Sequence, residues 1–336
     1  MLVKVLPELQ AYNNVVVTLF DDNRFGNKLK CDKYVCLHLT SLKYLPLAFG
    51  RLKKIIRENN ATLVHSHLFW PTFIARMATP KNIPLINTIH TSIASSIDYK
   101  RAYIQLLDKI SYRFSKPIII AVSNIALNDY FKTLKLRATK YYVLYNFAAE
   151  VSVQKNDFSQ KKIFRFISTG SLRPQKNYGF LINAFTALSA MPVELHIYGG
   201  GTMLTEMQQQ ITQAAAKIYL HGEVDNVDEL LPQFDGYISA SQVEGFSLSI
   251  LEAMAAKVPL LLSNIPSFVE QCADTATYFD LQNQDELLEK INAFIKDDSW
   301  RQQLAIEAFE KYKNNYTLLH HVSALKKIYS AAIRET

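Results

Sequence analysis

Cysteine is scarce in this chain of 336 residues, which contains only Cys31, Cys36 and Cys272. An odd number of cysteines without a Cys-x-x-Cys pair argues against both a disulfide framework and a zinc site. Long apolar runs are also missing, since none approaches the roughly 18 residues that a membrane-spanning helix needs. The N-terminal MLVKVLPELQAY is too short and too charged for a secretory signal. These absences predict a cytoplasmic protein.

Acidic residues are sparse in the first part of the chain. Residues 1–150 contain 21 Lys or Arg and 9 Asp or Glu, whereas residues 151–336 contain 16 and 21. Opposite charge balances predict two domains with different partners. The composition of 49% hydrophobic and 20% charged residues is typical of globular proteins and excludes the disordered and fibrous classes.

The most extended basic segment is YKRAYIQLLDKISYRFSK, residues 99–116. Apolar residues recur in it at helical spacing between the basic ones: Tyr103, Leu106, Leu107, Ile110 and Phe114. Such a helix can lie on an anionic membrane surface, and the alternative is an ordinary surface helix that buries one face. Nucleic acid is not predicted as a partner, because no helix-turn-helix, zinc-finger or RNP-like pattern accompanies the charge.

Short apolar segments alternate with longer patterns at helical spacing, which predicts doubly wound α/β domains. Ten segments are predicted to be strands buried on both faces, as in parallel sheets. They are residues 14–20, 61–67, 84–90, 117–123, 140–146, 163–169, 193–199, 217–222, 235–241 and 258–263. The polar segment 152–162 lies where the charge balance changes, and we predict that it is a linker.

Three loops are predicted at one edge of the second sheet. They are GSLRPQKN after the strand at 163–169, GGGT at the end of the strand at 193–199, and QVEGFS after the strand at 235–241. In open α/β sheets, ligands bind beyond the carboxyl ends of the strands and near helix N-termini. Gly170 permits close approach of the backbone, while Arg173 and Lys176 add two cations beside a helix start. Together the loops suit a diphosphate.

Two glutamates lie eight positions apart in EGFSLSILEAMAAKVP, residues 244–259. Ser247 is predicted to cap a helix, so that Glu244 precedes the helix and Glu252 lies about one and a half turns inside it. Both carboxylates can therefore face one ligand. A carboxylate accepts hydrogen bonds from vicinal hydroxyls through its two oxygens, which suits a sugar or a ribose.

These motifs resemble the donor-binding domain of GT-B-fold glycosyltransferases of family GT4, which includes many retaining bacterial polysaccharide and lipid glycosyltransferases. The resemblance is carried in order by STGSLRPQKN, ELHIYGGGT, EGFSLSILEAMAAKVP and SNIPSFVEQCADTATYFD, and it covers nearly all of residues 140–300. It implies an α/β protein with two Rossmann-like, doubly wound domains that face a cleft. The acceptor-side domain would be residues 1–150, the donor-binding domain 151–312, and residues 313–336 a C-terminal helix returning to the first domain.

The resemblance also assigns roles to residues. Glu244 would contact the transferred sugar, Glu252 the ribose hydroxyls, and Arg173 and Lys176 the diphosphate. His90 in NTIHTS is similar to the family's strand-end histidine beside the sugar. The implied catalytic residues are His90, Arg173, Lys176 and Glu244. The implied donor-binding residues are Gly170, Ser171, Arg173, Lys176, Gly199, Gly200, Glu244, Gly245, Phe246, Ser247, Leu248 and Glu252.

His65 and His67, in HSHLFWP, are similar to a neighbouring His-x-His strand end of the family, and core packing is the alternative for both. His320 and His321 are expected to be packing or surface residues.

The implied activity is retaining transfer of a sugar from a nucleotide-diphosphate sugar to a polysaccharide or lipid-linked glycan, in cell-surface glycan synthesis. A noncatalytic nucleotide-sugar-binding protein and a sugar-nucleotide epimerase are the alternatives. No cofactor and no metal are expected, because the chain lacks Asp-x-Asp and GT-B enzymes use cationic side chains where GT-A enzymes use a divalent ion. The expected location is the cytoplasm, with peripheral attachment to the inner face of the cell membrane as a further expectation.

The beginning of the chain departs from the family pattern. Members start with a strand and a Gly-rich loop, followed by the helix to which MLVKVLPELQAY corresponds. Only Gly26 and Gly50 occur in residues 1–150, so the Gly-rich loop has not merely moved to another position. Because the first strand of a doubly wound sheet is usually central, we expect its absence to weaken the first sheet and to impair activity. A start codon assigned too late or a shortened gene would explain the pattern. An in-frame strand and Gly-rich segment in the upstream DNA would support the first explanation, and an in-frame stop would exclude it.

Overall fold

The structure is a computed structural model that describes residues 1–20, 26–93, 96, 98–159 and 161–335. The chain divides into two compact units: unit 1 is Met1–Tyr145 with Leu318–Thr336, and unit 2 is Asn146–Thr317. The segment predicted to be a linker belongs to unit 2, where Lys155 Nζ lies 3.3 Å from Asp235 Oδ1 and Phe158 is buried. The linker prediction is therefore wrong, because a buried ion pair and an aromatic ring fix this segment to the unit.

Strands and helices alternate along the chain. The strands are β1 (Val15–Thr18), β2 (Lys33–Cys36), β3 (Val64–His67), β4 (Leu85–Ile89), β5 (Ile118–Ala121), β6 (Tyr141–Val143), β7 (Phe164–Thr169), β8 (Val193–Tyr198), β9 (Ile218–Gly222), β10 (Gly236–Ser239), β11 (Leu260–Ser263) and β12 (Thr277–Phe279). All ten predicted strands are confirmed, and the short strands β2 and β12 were not predicted.

The helices are α1 (Leu2–Val5), α2 (Leu45–Glu58), α3 (Phe69–Ala78), α4 (Ala102–Ser115), α5 (Asn124–Leu134), α6 (Tyr178–Ala187), α7 (Leu204–Gln213), α8 (Val227–Leu230), α9 (Leu248–Ala255), α10 (Pro266–Cys272), α11 (Gln284–Lys296), α12 (Asp298–Asn315) and α13 (Leu318–Arg334). Helix α13 buries Val322, Leu325 and Ile328 on one side, and it belongs to unit 1.

Unit 1 contains two parallel sheets. Strands β1 and β2 form one sheet, and β3-β4-β5-β6 form the other in that order. Apolar residues that follow β1 and β2, such as Leu19 and Leu37, share one core with helices α2 and α3. All four residues of β1 are only half-buried, so the prediction that this strand is buried on both faces is wrong. A two-stranded sheet consists of two edge strands, which explains this exposure.

Unit 2 contains one parallel sheet in the order β9-β8-β7-β10-β11-β12. This is the strand order of a doubly wound Rossmann-type sheet, in which the direction of progression reverses between the first and fourth strands. Strands β10 and β11 are buried on both faces, as predicted. The same prediction for strands β8 and β9 is wrong. Buried and half-exposed residues alternate along β8, and β9 is an edge strand of the sheet.

Candidate functional site

Two predicted loops meet at the reversal point of the sheet in unit 2. Strands β7 and β10 are hydrogen-bonded neighbours, and the strand order reverses between them. We call residues 170–177 the β7 loop and residues 240–247 the β10 loop. The backbone N–H of Gln242 donates to the carbonyl of Gln175 at 2.9 Å, which joins the two loops. Ligands of open α/β sheets bind at such a reversal, so the fold places these loops where a ligand is expected.

A lysine and a glutamate face each other across the two loops. Lys176 Nζ lies 2.7 Å from Glu244 Oε1, and the side chains are 16% and 18% exposed. The hydroxyl of Ser241 also donates to Glu244 Oε1, at 3.1 Å. The pair therefore offers one cation for an anionic group and one carboxylate for hydroxyl groups, both on a partly shielded surface.

Glycine makes room for this lysine. Gly170 has φ +147°, and a Cβ on it would lie 3.2 Å from both Cε and Nζ of Lys176. Such a φ angle is one that L-residues rarely adopt, so the position favours glycine for the backbone as well. Because Gly170 has no Cβ and tolerates this φ angle, the Lys176 side chain can lie against the backbone of the β7 loop.

The glycine turn after β8 supports the β7 loop. A Cβ on Gly199 would lie 1.9 Å from the carbonyl oxygen of Gly170, and one on Gly201 would lie 2.5 Å from that of Leu172. The N–H of Leu172 donates to the carbonyl of Gly200 at 2.9 Å. Gly199 and Gly200, predicted to bind the donor, thus pack directly on the predicted diphosphate loop. Gly201 was not singled out by sequence reasoning, although it belongs to the same GGGT motif.

Two buried tyrosines lie below the loops and were missed by sequence reasoning. Tyr178 OH donates to the carbonyl of Gly170, and Tyr237 OH to that of Thr169, both at 3.4 Å. Burial raises the pKa of both phenols, and the Glu244 carboxylate raises each further. Glu252 raises the pKa of Tyr237 as well, so both glutamates lie within electrostatic reach of one phenol. No spacing rule distinguishes these tyrosines from ordinary core residues.

The start of α9 matches the predicted cap. Ser247 Oγ accepts a hydrogen bond from the N–H of Ile250 at 3.4 Å. The Ser247 N–H, however, donates to Gln271 Oε1 at 3.0 Å, and Gln271 Nε2 donates to the Ser247 carbonyl at 2.8 Å. This amide therefore has a partner inside the protein. Gln271 was not singled out, because nothing in the sequence indicates that it reaches back to this loop.

The other predicted donor-binding residues differ in exposure. Phe246 is buried with its ring 5.4 Å from that of Tyr316, and Gly245 is buried beside it. Glu252 is half-buried in α9, and Leu248 is 39% exposed. Ser171 and Arg173 are exposed on the β7 loop. Within the part of the chain that the structure describes, Arg173 has no ion pair, so its guanidinium is open to an anion.

Unit 1 contains a separate cluster of histidines at the ends of β3 and β4. His67 Nδ1 lies 2.9 Å from His90 Nε2. His65 contacts Tyr329 OH through Nδ1 and Thr88 Oγ1 through Nε2, both at 2.7 Å. Burial is the main cause that lowers the pKa of His67 to about 3, and the nearby His90 and His321 lower it further. Burial, the N-terminal amino group and His321 lower that of His90 to about 4. The imidazoles are therefore neutral near pH 7 and act as hydrogen-bonding groups.

Neither a metal cluster nor a membrane span occurs in the residues that the structure describes. Over those residues, no three or more His, Cys, Asp or Glu side chains are grouped so that they could hold a metal ion. In the same part of the chain, every helix is too short or too polar to cross a membrane. The three cysteines are free, with Cys272 buried and Cys31 and Cys36 half-buried.

The fold defines a protein of the GT-B class, with two Rossmann-like units of which the second carries the candidate site at its sheet reversal. Sequence profiles identify the family more closely. The profile described as "Glycosyl transferases group 1" matches residues 150–327, and the profile described as "Glycosyltransferase Family 4" matches residues 2–148. The chain belongs to the group 1 glycosyltransferases and is a glycosyltransferase.

Individual relatives agree with this assignment. N-acetyl-alpha-D-glucosaminyl L-malate synthase of Bacillus anthracis is 22% identical over 309 residues, which are 85% of this chain and 79% of the relative. O-antigen chain mannosyltransferase B of Escherichia coli is 28% identical over 229 residues, 65% of this chain and 57% of the relative. The crystal structure of Anabaena Alr3699/HepE, in complex with UDP and glucose, has a TM-score of 0.82 at 17% identity and covers 98% of this chain and 94% of its own.

Proposed function

We propose that this glycosyltransferase takes a nucleotide-diphosphate sugar as donor and transfers the sugar, with retention of anomeric configuration, to a polysaccharide or lipid-linked glycan. The observation that carries the proposal is the contact of Lys176 with Glu244 at the reversal between β7 and β10. The Lys176 ammonium can bind a phosphate, and the Glu244 carboxylate can accept hydrogen bonds from hydroxyl groups. The two side chains together match the diphosphate and the sugar of a sugar diphosphate.

Charge development gives the loop cations their proposed role. Breaking the bond between the anomeric carbon and the diphosphate oxygen leaves negative charge on the departing nucleotide. Lys176 and Arg173 would stabilise this charge, while the acceptor hydroxyl forms the new bond to the anomeric carbon and passes its proton to the departing diphosphate oxygen. Removing one such preorganised group typically costs about 10²- to 10³-fold in rate.

The remaining residues would orient the donor. Glu244 would accept hydrogen bonds from the sugar and Glu252 from the ribose hydroxyls, for which a half-buried carboxylate is suited. The neutral imidazole of His90, oriented by its contact with His67, would bind a sugar hydroxyl without adding charge. Gly170, Gly199 and Gly200 would shape the backbone beside the diphosphate.

The relatives support the substrate classes. The Anabaena structure was solved with UDP and glucose, which favours a uridine nucleotide as the first donor to test. The E. coli relative is named for O-antigen chains, which favours a cell-surface glycan as acceptor. We further propose that the enzyme works on the cytoplasmic side of an anionic membrane surface, where lipid-linked glycans would be available. Nucleic acid has no part in this function.

Transfer should need neither a cofactor nor a metal, because Lys176 and Arg173 would supply the positive charge that a divalent ion would otherwise bring to the diphosphate. A chelator such as EDTA should therefore leave the initial rate unchanged in a transfer assay, and added Mg²⁺ or Mn²⁺ should not raise it. A rate that collapses with EDTA and returns with one of these ions would contradict this part of the proposal.

The test begins with calorimetric binding of UDP, GDP and ADP, and then of their sugar conjugates, to the wild type, Lys176→Ala and Glu252→Ala. Lys290→Ala and Glu289→Ala are matched controls, because both residues lie on α11, outside the two loops. We expect one nucleotide to bind selectively and both loop-site variants to lose that binding. The bound donor is then incubated with glycan acceptors, and NMR of the product gives its anomeric configuration.

The outcomes separate the alternatives. Binding that is equally strong in Lys176→Ala and Glu252→Ala would place the donor elsewhere. Selective binding without turnover on any acceptor would indicate a nucleotide-sugar-binding protein. A product with inverted configuration would confirm transfer and reject retention.

A further inference from the structure

The buried side of helix α4 carries two polar residues beside the core residues Ile104 and Tyr112. Asp108 and Ser111 on this helix are 2% and 1% exposed. Arg76 of α3 donates from Nη1 to Asp108 Oδ1, and Tyr130 OH donates to the same oxygen at 2.8 Å. Since a buried carboxylate without a partner is costly, this network fixes which side of α4 faces the unit.

The opposite side of α4 exposes large apolar side chains. Tyr103 is 45% exposed, Leu106 56%, Ile110 57% and Phe114 63%. At about 100° per residue, the four lie within an arc of about 80°. The helix therefore buries one face, as an ordinary surface helix does, but that face is not the apolar stripe that the sequence pattern shows. The stripe remains as a second apolar surface that nothing in unit 1 covers in the part of the chain that the structure describes.

Cations surround the apolar stripe. Arg101, Arg113 and Lys116 are exposed and Lys109 is half-buried on the same segment. Lys81, from the neighbouring part of the unit, lies with Nζ 5.5 Å from the centre of the Phe114 ring. The one carboxylate in residues 99–116 is Asp108, which is already paired with Arg76.

We propose that the exposed face of α4 docks on the interface of an anionic lipid bilayer. The stripe formed by Leu106, Ile110 and Phe114 enters the boundary between headgroups and acyl chains, while Arg113 and Lys116 contact lipid phosphates. An apolar stripe with flanking cations is the pattern of helices that lie in this interface. A second copy of the chain fits the face less well, because pairing two such faces would bring like charges together.

This inference rests on the proposed function only for its biological setting, since a docked enzyme would meet lipid-linked acceptors. Its test needs neither donor nor turnover. A failure of vesicle binding would therefore leave the donor-site experiment untouched, and a failure of donor binding would leave the docking face untouched.

The test is flotation with vesicles of phosphatidylcholine alone and of equal parts phosphatidylcholine and phosphatidylglycerol. We expect the wild type to bind the anionic vesicles and to be released by high salt, because surface charges are screened. Leu106→Gln combined with Ile110→Gln removes apolar contact, and Arg113→Gln combined with Lys116→Gln removes charge. Each pair should reduce partitioning about tenfold or more.

Leu47→Gln is the matched apolar control, since Leu47 is an equally exposed helical leucine at 57%. Lys53→Gln, on the same helix α2, is the matched charge control. Circular dichroism establishes that every variant is folded. Folded wild type that stays unbound, or stripe variants that float like the Leu47 control, would overturn the proposal. A dimer in sedimentation equilibrium that dissociates in Leu106→Gln/Ile110→Gln, without vesicle binding, would instead assign the face to self-association.

Discussion

Gly170 shows how one residue sets the position of another in the candidate site. Gly170→Ala would place a methyl group 3.2 Å from Lys176 Cε and Nζ, at a φ angle of +147° that alanine rarely adopts. We expect the variant to lose about 1–3 kcal/mol of stability from backbone strain and to bind donor more weakly, because Lys176 is displaced. Urea unfolding and nucleotide calorimetry measure the two effects.

Gly50→Ala is the control for that substitution. Gly50 lies in α2, and a Cβ there would meet nothing within 4 Å. Alanine in a helix is favoured over glycine, so this variant should gain about 0.5–1 kcal/mol and bind donor normally. If Gly170→Ala behaves like Gly50→Ala in both measurements, the role assigned to Gly170 is wrong.

The buried ion pair of unit 1 makes a second prediction at this scale. Arg76 and Asp108 are each 2% exposed, and removing one partner leaves an uncompensated charge. Asp108→Asn should therefore lower the free energy of unfolding by about 3–5 kcal/mol. Arg76→Met combined with Asp108→Leu removes both charges and should recover part of the loss. Urea denaturation of the two variants gives the comparison, and equal stability of Asp108→Asn and wild type would contradict it.

Residues of the candidate site could be singled out from sequence because they lie in short local motifs, and their binding roles stay predictions. Lys176 and Glu244 were both singled out, although their contact spans two loops that only the sheet brings together. Tyr329, which contacts His65, was not identified, since 264 positions separate the two residues. Contacts of this kind carry no local pattern.

At the scale of elements, the ends of β3 and β4 make stability depend on pH. The pKa of His67 is lowered to about 3 and that of His90 to about 4, mainly by burial, whereas an unfolded histidine titrates near 6.5. Between about pH 4 and 6.5 the unfolded chain therefore binds more protons. The free energy of unfolding should fall as the pH is lowered through this range, by roughly 1 kcal/mol per pH unit for each histidine.

Urea unfolding at a series of pH values measures this slope. His67→Gln combined with His90→Gln should make it shallower, because both groups with lowered pKa values are then absent. His65 and His321 also have lowered pKa values, so part of the slope remains in the double variant. A slope that is the same in the double variant and the wild type would show that these histidines do not titrate as expected.

Elements differ in how much of their structure the sequence predicts. Strand β11 follows from the continuous apolar run VPLLL, whereas β2 (KYVC) begins with a lysine, β12 (TYF) begins with a threonine, and neither lies in a run of that length. The existence of α4 follows from its spacing, but its orientation does not. Arg76, which decides that Asp108 faces inward, lies 32 positions away. An amphipathic pattern alone does not specify which side meets the core.

At the scale of the molecule, the proposed diphosphate and ribose contacts, Arg173, Lys176 and Glu252, all belong to unit 2, and nucleotide binding should stabilise that unit by mass action. A nucleotide at about 100 times its dissociation constant adds about 2.7 kcal/mol to the free energy of unfolding. Differential scanning calorimetry with UDP should therefore show a transition shifted upwards. Lys176→Ala should show no shift, and Lys290→Ala should shift like the wild type. An unchanged midpoint in the wild type would argue against uridine nucleotides.

The two-unit architecture was predictable because both halves repeat the same alternation of strands and helices. The sequence did not predict that unit 1 has two separate sheets. Strands β1 and β2 pair only with each other, and side-chain packing against α2 and α3 connects them to the rest of the unit. The packed segment 152–159 was mistaken for a linker because its polar composition conceals the partners of Lys155.

The contact between Gly199 and the Gly170 carbonyl has a consequence for protein engineering. No side chain fits between the two segments, so the β7 loop and the turn after β8 have a shared backbone surface. A chimera that imports the β7 loop from a relative with another donor preference must import the matching turn as well. Libraries that diversify either segment alone would mostly sample misfitted backbones, whereas paired libraries keep the two surfaces complementary.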